Sequence, residues 1–159
     1  MREITEARFD AEKRGLRNAR FIVGDVLQEP NPVHHGTFDA VLLIRFLTCF
    51  PVPDQRHRVL STARTALKPR GLLYVRDFLL SPTYRARYDA AVRNGLSYGD
   101  FPVLSANGVI QFVAHHHSEA EARAMVHDYE PLLFEYEESL SMNGNPCTMF
   151  EFIGRRAES

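Results

Sequence analysis

The sequence predicts an α/β domain built on a largely parallel sheet. The first observation is that helical and strand-like segments alternate up to residue 78, in the order helix, strand, strand, helix, strand. The second is that the chain closes with two strand-like runs around a turn, which is typical of an antiparallel hairpin. The third is its size: 159 residues, 45% of them hydrophobic, suffice for one core. We therefore expect a single domain over residues 1–159.

Two amphipathic helices are predicted in this first part. Ile4, Ala7 and Ala11 recur at steps of three and four residues, which favours a helix over residues 3–14 that Gly15 stops. A second apolar stripe favours a helix that Asp54 caps and that runs to about residue 67.

Three apolar runs predict strands. Residues 19–25 form a short run that ends in Gly and Asp, and residues 71–78 form another. The run Phe38–Ile44 is the most continuous and does not alternate with polar residues, so we expect it to be a central strand covered on both faces. The prolines, glycine and histidines of residues 28–37 predict a loop before it.

The segment over residues 79–117 departs from the alternating pattern and is predicted to be an insertion. It contains a helical stretch over residues 84–92 and a hairpin that turns at Asn107–Gly108. Ser118 and Glu121 then have the spacing of a capping box at the start of another helix. The closing hairpin is expected from residues 132–140 and 148–154.

Charge and cysteine content exclude several classes of function. Nineteen basic and 20 acidic residues leave a net charge of −1, which does not favour nucleic acid or anionic lipid as a partner. No apolar run approaches the roughly 20 residues of a membrane span. Cys49 and Cys147 lie far apart without metal-ligand spacing, which favours reduced thiols. We expect a soluble, cytoplasmic protein.

Three stretches together carry a resemblance to a known family. They are residues 21–26 (FIVGDV), residues 38–43 (FDAVLL) and residues 66–75 (ALKPRGLLYV). In this order, before a closing hairpin, they resemble the class I S-adenosylmethionine-dependent methyltransferases. The resemblance implies a truncated Rossmann-like methyltransferase sheet with a C-terminal hairpin and a substrate-side insertion. It also implies S-adenosylmethionine as cofactor and methyl transfer to an acceptor as the reaction.

The resemblance assigns a cofactor site to two segments. Asp25, with Gly24 before it and Val26 after it, stands where the family accepts a hydrogen bond from the adenine amino group. The alternative is that Asp25 only caps the following turn. Ile44, Arg45 and Phe46 follow the central strand at the sheet edge where such folds place ligands. Arg45 is expected to contact the cofactor carboxylate or the substrate. The alternative is that it is a solvated residue at the end of the strand.

The start of the sequence departs from the family pattern. Family members begin with a strand, a Gly-rich turn, a helix and a second strand, yet this sequence contains no Gly-x-Gly. Three explanations stay open: a shortened form or gene model, a second chain that supplies the missing half, or a non-enzymatic relative that serves as a scaffold or regulatory subunit. Without the two strands, residues 19–25 and Phe38–Ile44 are expected to pair directly, or two chains to dimerise through the unpaired edge.

The insertion supplies the candidates for acceptor binding. The resemblance implies that residues 79–117 form a lid over the acceptor. The candidates are Asp77, just before this segment, and the polar and aromatic residues Tyr84, Arg85, Tyr88, Tyr98, His115, His116 and His117. Strand alternation puts His115 and His117 on one face, but no third ligand stands at zinc spacing, so no metal site is predicted. These histidines either bind the acceptor or act as a base, or are simply hydrogen-bonded at a strand end. Tyr84 and Tyr88 are alternatively core residues.

The acceptor class is open between two alternatives. The layout of the insertion is similar to that of tRNA 3-methylcytidine methyltransferases, and it also fits small-molecule methyltransferases. The near-neutral charge favours a small-molecule acceptor. Methyl transfer from an activated sulfonium needs mainly alignment, so no catalytic residue is identified. A nucleotide-binding half of a dehydrogenase is disfavoured because the Gly-rich turn is missing.

Overall fold

The computed structural model describes residues 2–28, 36–105, 107–141 and 144–158. The chain divides into two compact units, residues 1–34 and residues 35–159, and each is described by itself. Within the described ranges, no helix has both the length and the apolar character that crossing a membrane requires.

The first unit contains one helix, α1 (Arg2–Lys13). It ends as predicted at Gly15, whose φ of 69° allows the Leu16 amide to donate to the Ala11 carbonyl. The strand predicted over residues 19–25 is wrong, because these residues form no regular structure. Ile22 and Val23 are exposed instead of paired, which shows that an apolar run becomes a strand only where a neighbouring strand satisfies its backbone.

The second unit holds a four-stranded sheet in the order β1, β2, β6, β5 and a separate two-stranded hairpin of β3 and β4. β1 runs parallel to β2, whereas β6 pairs antiparallel with both β2 and β5. The C-terminal antiparallel hairpin and the α/β class are thus confirmed. The elements are β1 (Phe38–Ile44), α2 (Pro53–Ala66), β2 (Leu67–Phe78), α3 (Arg85–Arg93), β3 (Asp100–Leu104), β4 (Ile110–His115), α4 (Glu119–Met125), β5 (Tyr129–Leu140) and β6 (Pro146–Arg156).

One face of this sheet carries the core. Leu73 and Val75 of β2 lie beside Phe152 of β6, and all three are fully or almost fully buried. The apolar stripe of α2, which includes Val59 and Ala63, is also buried. The predicted Asp54 cap is wrong: Val52 is the N-cap without a side-chain hydrogen bond, and Pro53 begins the helix with its fixed φ.

Two residues near the start of β2 have an unusual backbone environment. Arg70 adopts a φ of 62°. This left-handed conformation costs a non-glycine residue about 1 kcal/mol. At Gly71, a Cβ atom would lie 2.9 Å from the Lys68 carbonyl oxygen, so this glycine is required by the close backbone approach.

The prediction that Phe38–Ile44 is an interior strand covered on both faces is wrong. Among the described residues, β1 pairs only with β2 and therefore lies at the margin of the sheet. Leu42 is 61% exposed and Ile44 51%, whereas Leu43, on the opposite face, is buried. Continuous apolarity therefore predicted the strand but not its position, because position depends on segments distant in sequence.

The exposed edge of β1 bears on a further prediction, dimerisation. Residues 19–25 form no strand that could pair with β1, and pairing between two chains through this edge stays a prediction. We expect the wild-type chain to sediment as a dimer and Leu42→Lys to weaken that dimer at least about tenfold, because a charged side chain on an edge strand opposes strand pairing. Leu132→Lys, on the other marginal strand β5, is the matched control. A monomeric wild-type chain at high micromolar concentration in analytical ultracentrifugation would exclude this dimer.

The insertion follows its prediction closely. α3 begins one residue after the predicted start, and the β3–β4 hairpin turns through Asn107 and Gly108, whose φ is 79°. Ser118 and Glu121 form both hydrogen bonds of the capping box at the start of α4. Of the predicted loop over residues 28–37, residues 29–35 lie outside the described residues, as does Asn143 of the closing turn. That residues 79–117 act as a lid stays a prediction.

Candidate functional site

The carboxyl end of the parallel pair β1–β2 is organised by a buried carboxylate. Asp77 is 0% exposed, and its Oδ2 accepts the Thr48 backbone N–H at 3.1 Å while its Oδ1 accepts that of Phe78 at 2.8 Å. Thr48 belongs to the 3₁₀ turn Leu47–Cys49 that follows β1. Burial raises the pKa of Asp77 to about 6, opposed by these backbone hydrogen bonds. Asp77, a predicted substrate residue, therefore holds the loop after β1.

Arg45 links the end of β1 to the closing hairpin. Its φ of 51° turns the chain out of β1, and its amide donates to the Arg76 carbonyl at 2.7 Å. Its guanidinium donates to the Leu140 carbonyl at 3.0 Å and lies 5.5 Å from the ring centroid of Phe78. Arg45 is half-buried and its cation contacts protein, and its role toward a cofactor or substrate stays a prediction.

The two neighbours of Arg45 lie in different surroundings. Ile44 is exposed on β1, whereas Phe46 is half-buried and packs edge-on against Phe50, with ring centroids 5.1 Å apart. Ile44, at the end of β1, thus exposes an apolar side chain to solvent. Phe46, in the loop that follows, is held by its contact with Phe50.

Asp25 lies in the first unit together with Gly24 and Val26. Its Oδ1 accepts the Leu27 backbone N–H at 2.9 Å, so the capping of the following turn is real. This bond engages one carboxylate oxygen of an exposed side chain. The turn and an acceptor role toward an exocyclic amine are therefore compatible, since a carboxylate has two oxygens with several acceptor positions.

A cleft of about 300 Å³ opens directly after β2. It is lined by Leu80, Ser81 and Pro82 from the segment after β2, by Arg85 and Tyr88 of α3, and by Tyr98. Two of the predicted acceptor residues, Arg85 and Tyr98, and the further candidate Tyr88 thus come together at the carboxyl end of a parallel strand. Open α/β folds place their ligands at this edge. We call this the β2 cleft.

Tyr88 is fixed at the inner wall of the β2 cleft. Its hydroxyl lies 2.7 Å from Nδ1 of His116, and the Ser81 amide donates to it at 3.4 Å. Burial lowers the pKa of His116 to about 4 and raises that of Tyr88 to about 12. At neutral pH the imidazole is neutral and the phenol keeps its proton, so this pair can orient a hydroxyl, while a pKa of about 4 makes the His116 imidazole a weak base.

The other predicted acceptor residues do not line the β2 cleft. Tyr84 is buried, and its hydroxyl donates to the Pro146 carbonyl at 3.0 Å. His117 is fully buried, and burial lowers its pKa to about 3. His115 and His117 do share one region, with ring centroids 5.1 Å apart. Within the described ranges, no group of three or more His, Cys, Asp and Glu side chains is arranged to hold a metal ion.

His115 belongs to a polar network that the sequence did not reveal. Its Nδ1 lies 2.6 Å from Oδ1 of Asp100, and its Nε2 lies 3.3 Å from Oε1 of Glu121. The buried Arg56 of α2 lies 3.6 Å from the same Glu121 oxygen. The network joins α2, the β3–β4 hairpin and α4. The capping-box spacing identified Glu121, but nothing local to Arg56 or Asp100 signals that they are buried.

Comparisons with known proteins identify the fold. A family model described as "Methyltransferase domain" matches residues 1–137. A solved SAM-dependent methyltransferase from Methanosarcina mazei is 26% identical with a TM-score of 0.87, over 98% of this chain and 78% of that one. The search of curated proteins found no match.

A more distant structure is the 1,6-didemethyltoxoflavin-N1-methyltransferase of Burkholderia thailandensis, with 1,6-didemethyltoxoflavin and S-adenosylhomocysteine bound. It is 16% identical with a TM-score of 0.62, over 96% of this chain and 56% of that one. Another structure of this fold is described as a cyclase, so fold alone does not fix the reaction. The family match over residues 1–137 shows that the chain belongs to the methyltransferase-domain family, with the class I S-adenosylmethionine-dependent fold.

Proposed function

We propose that the chain takes part in S-adenosylmethionine-dependent methyl transfer to a small-molecule acceptor held in the β2 cleft. The observation that carries the proposal is the position of Arg85, Tyr88 and Tyr98 in one cleft at the carboxyl end of a parallel strand. The membership of the family supports the reaction class, and the cleft supports the acceptor class.

The predicted cofactor is supported by the comparisons, since the structures they match include S-adenosylmethionine-dependent methyltransferases. The described residues fit one end of this cofactor. The exposed carboxylate of Asp25 uses one oxygen for its own turn and has acceptor capacity for an adenine amino group. The backbone of Val26 would face the adjoining ring nitrogen. The sequence contains no Gly-x-Gly to receive the methionine part.

The cofactor supplies an already activated methyl group, so the protein contributes mainly by alignment. Asp77 holds the 3₁₀ turn Leu47–Cys49 in place and thereby fixes the loop at the end of β1. Arg85 and Tyr98 offer a cation and an exposed aromatic face to the acceptor. The Tyr88 hydroxyl, held by His116, provides a hydrogen bond of fixed direction.

Two alternative functions stay in view. A cofactor-free scaffold or regulatory subunit would keep the sheet and use the exposed edge of β1 for a partner. A tRNA-base methyltransferase would need cations along an extended surface, whereas the chain has 19 basic against 20 acidic residues. This balance favours the small acceptor.

Isothermal titration with S-adenosylmethionine tests the proposal. We expect measurable binding by the wild-type chain and a weakening of about tenfold or more in Asp25→Asn, since hydrogen bonds to charged groups contribute about 1.5–3 kcal/mol. Asparagine keeps an oxygen for the Leu27 amide but replaces the second acceptor with a donor. Asp10→Asn, an exposed carboxylate of α1 in the same unit, is the control.

Two outcomes of the titration would count against the proposal. No heat of binding by a folded wild-type chain would favour the scaffold alternative. Equal affinities of the wild-type chain and Asp25→Asn would restrict Asp25 to its turn.

A further inference from the structure

A second, larger cleft lies between α3 and the β3–β4 hairpin. Its volume is about 630 Å³, within the range of small-molecule sites. Its lining residues are all different from those of the β2 cleft, and none of them was predicted from the sequence to belong to a site. We call it the α3 cleft.

The walls of the α3 cleft are mainly apolar and partly open to solvent. Phe101 of β3 is half-buried, whereas Leu104 and Ile110, at the end of the same hairpin, are 56% and 58% exposed. Large aliphatic side chains that stay exposed along one concave wall mark a surface suited to an apolar ligand. The ligand would cover these side chains with a flat or ring-shaped apolar body.

The polar side of the α3 cleft is formed by Arg87, Asn94 and Asn145. The Arg87 guanidinium lies 5.4 Å from the ring centroid of Tyr84, which is itself fixed by its hydrogen bond to the Pro146 carbonyl. This cation–π contact favours a position of the guanidinium over the ring and uses none of its N–H donors. Within the described ranges, no acidic side chain forms a salt bridge with Arg87.

The two amides complement this cation. Asn94 donates from Nδ2 to the Ala90 carbonyl at 2.8 Å, which fixes its side chain at the end of α3 and leaves its oxygen as an acceptor. The backbone N–H of Asn145 donates to the Ser141 hydroxyl at 3.1 Å, which holds this residue at the rim of the cleft. The cleft thus presents one cation, the fixed side-chain amide of Asn94 and the side chain of Asn145 beside an apolar wall.

We propose that the α3 cleft binds an amphipathic carboxylate, with an apolar ring system against Phe101, Leu104 and Ile110 and with its acid group on Arg87. A guanidinium recognises a carboxylate through paired N–H groups, and Arg87 is an exposed cation at the rim of the apolar wall. The proposal goes beyond methyl transfer and does not depend on the cofactor.

Titration with 2-naphthoate, followed by the fluorescence of the naphthalene, tests the proposal directly. The chain contains no tryptophan, so protein emission does not mask the signal. We expect saturable binding to the wild-type chain and at least tenfold weaker binding to Arg87→Leu. The matched control is Arg93→Leu, which removes an exposed cation from the same helix outside the cleft. Circular dichroism checks that each variant is folded.

A neutral probe separates the acid group from the apolar body. We expect 2-naphthalenemethanol to bind the wild-type chain at least tenfold more weakly than naphthoate, and to bind Arg87→Leu as it binds the wild-type chain. Leu104→Asp places a negative charge, which repels the naphthoate carboxylate, on the exposed wall. This variant should therefore abolish naphthoate binding.

Three results would overturn the proposal. They are no saturable naphthoate binding at millimolar concentrations, equal affinity for the acid and the alcohol, or equal losses in Arg93→Leu and Arg87→Leu. Because the titration contains no cofactor, its failure leaves the methyltransferase proposal unaffected.

Discussion

Asp77→Ala is expected to lower the free energy of unfolding by about 3 kcal/mol and to remove methyl transfer. The wild-type carboxylate is fully buried and accepts the Thr48 and Phe78 amides. Each buried donor that loses its acceptor costs about 1–3 kcal/mol. The 3₁₀ turn Leu47–Cys49 also loses its tie to β2, so the loop beside the β2 cleft is no longer held. Urea unfolding followed by circular dichroism measures the loss.

The contribution of Asp77 to the free energy of unfolding depends on pH with the sign opposite to that of a carboxyl whose pKa is lowered by folding. The pKa of Asp77 is raised to about 6 in the folded chain from an ordinary value of 3.8, so the folded state binds this proton more tightly. The protonated Asp77 side chain therefore stabilises the folded chain fully below about pH 4. This stabilisation is lost as the pH rises through about 6. Asp77→Asn lacks a titrating group, so its stability relative to wild type should change between pH 4 and pH 6.

The control for Asp77 is Asp54→Ala. Asp54 is an exposed carboxylate in the first turn of α2, where its interaction with the helix dipole contributes at most about 1 kcal/mol. Equal urea midpoints for Asp77→Ala and wild type would show that the buried carboxylate does not hold the loop.

The local elements of the fold were predictable because their signals are local. The positive φ of Gly108 explains the Asn107–Gly108 turn, and the spacing of Ser118 and Glu121 explains the start of α4. The family could be inferred for a related reason, since the resemblance rests on the order of short apolar runs and on the closing hairpin. Neither inference required knowledge of distant contacts.

The two wrong strand predictions have one cause. A strand needs a partner, and the partner of a parallel strand lies far away in sequence. Among the described residues, 19–25 form no strand pairing, and Ile22 and Val23 are exposed. In the same part of the structure, β1 pairs with β2 alone, and Leu42 stays open to solvent although its sequence is that of a central strand.

The candidate site was predictable only in part. Arg85 and Tyr98 were predicted and line one cleft, because the segment after β2 must begin at the edge where ligands bind. Asp77 and His115 were chosen for their chemistry, yet both are buried and bonded within the protein. Residue type indicates what a side chain can do, whereas burial and partners depend on packing that the sequence pattern does not encode.

Glu121→Ala is expected to lower the free energy of unfolding by about 3 kcal/mol at neutral pH. Its carboxylate accepts the Ser118 amide at 2.8 Å and lies beside both His115 and Arg56. Loss of the capping box costs about 1 kcal/mol. The larger part arises because the Arg56 guanidinium, which also donates to the Phe50 and Pro51 carbonyls, becomes a buried cation without its acidic partner.

The effect of Glu121→Ala should fade in acid. The pKa of Glu121 is lowered to about 2, first by its hydrogen bond with His115 and against the opposing effect of burial. A carboxyl whose pKa is lowered in the folded state stabilises the chain above its ordinary value of 4.5, and this stabilisation is lost as the pH falls toward 2. The difference in unfolding free energy between wild type and Glu121→Ala should therefore shrink below about pH 4.

Two companion variants separate the charge from the cap. Glu121→Gln keeps a side chain that can accept the Ser118 amide but has no charge, so its loss should be intermediate. Glu119→Ala removes an exposed carboxylate from the same first turn, whose partners Tyr136 and Arg123 lie at the surface, and should change stability by less than about 1 kcal/mol. If Glu119→Ala and Glu121→Ala destabilise the chain equally in urea, the network of Arg56, His115 and Glu121 does not join the helices to the hairpin.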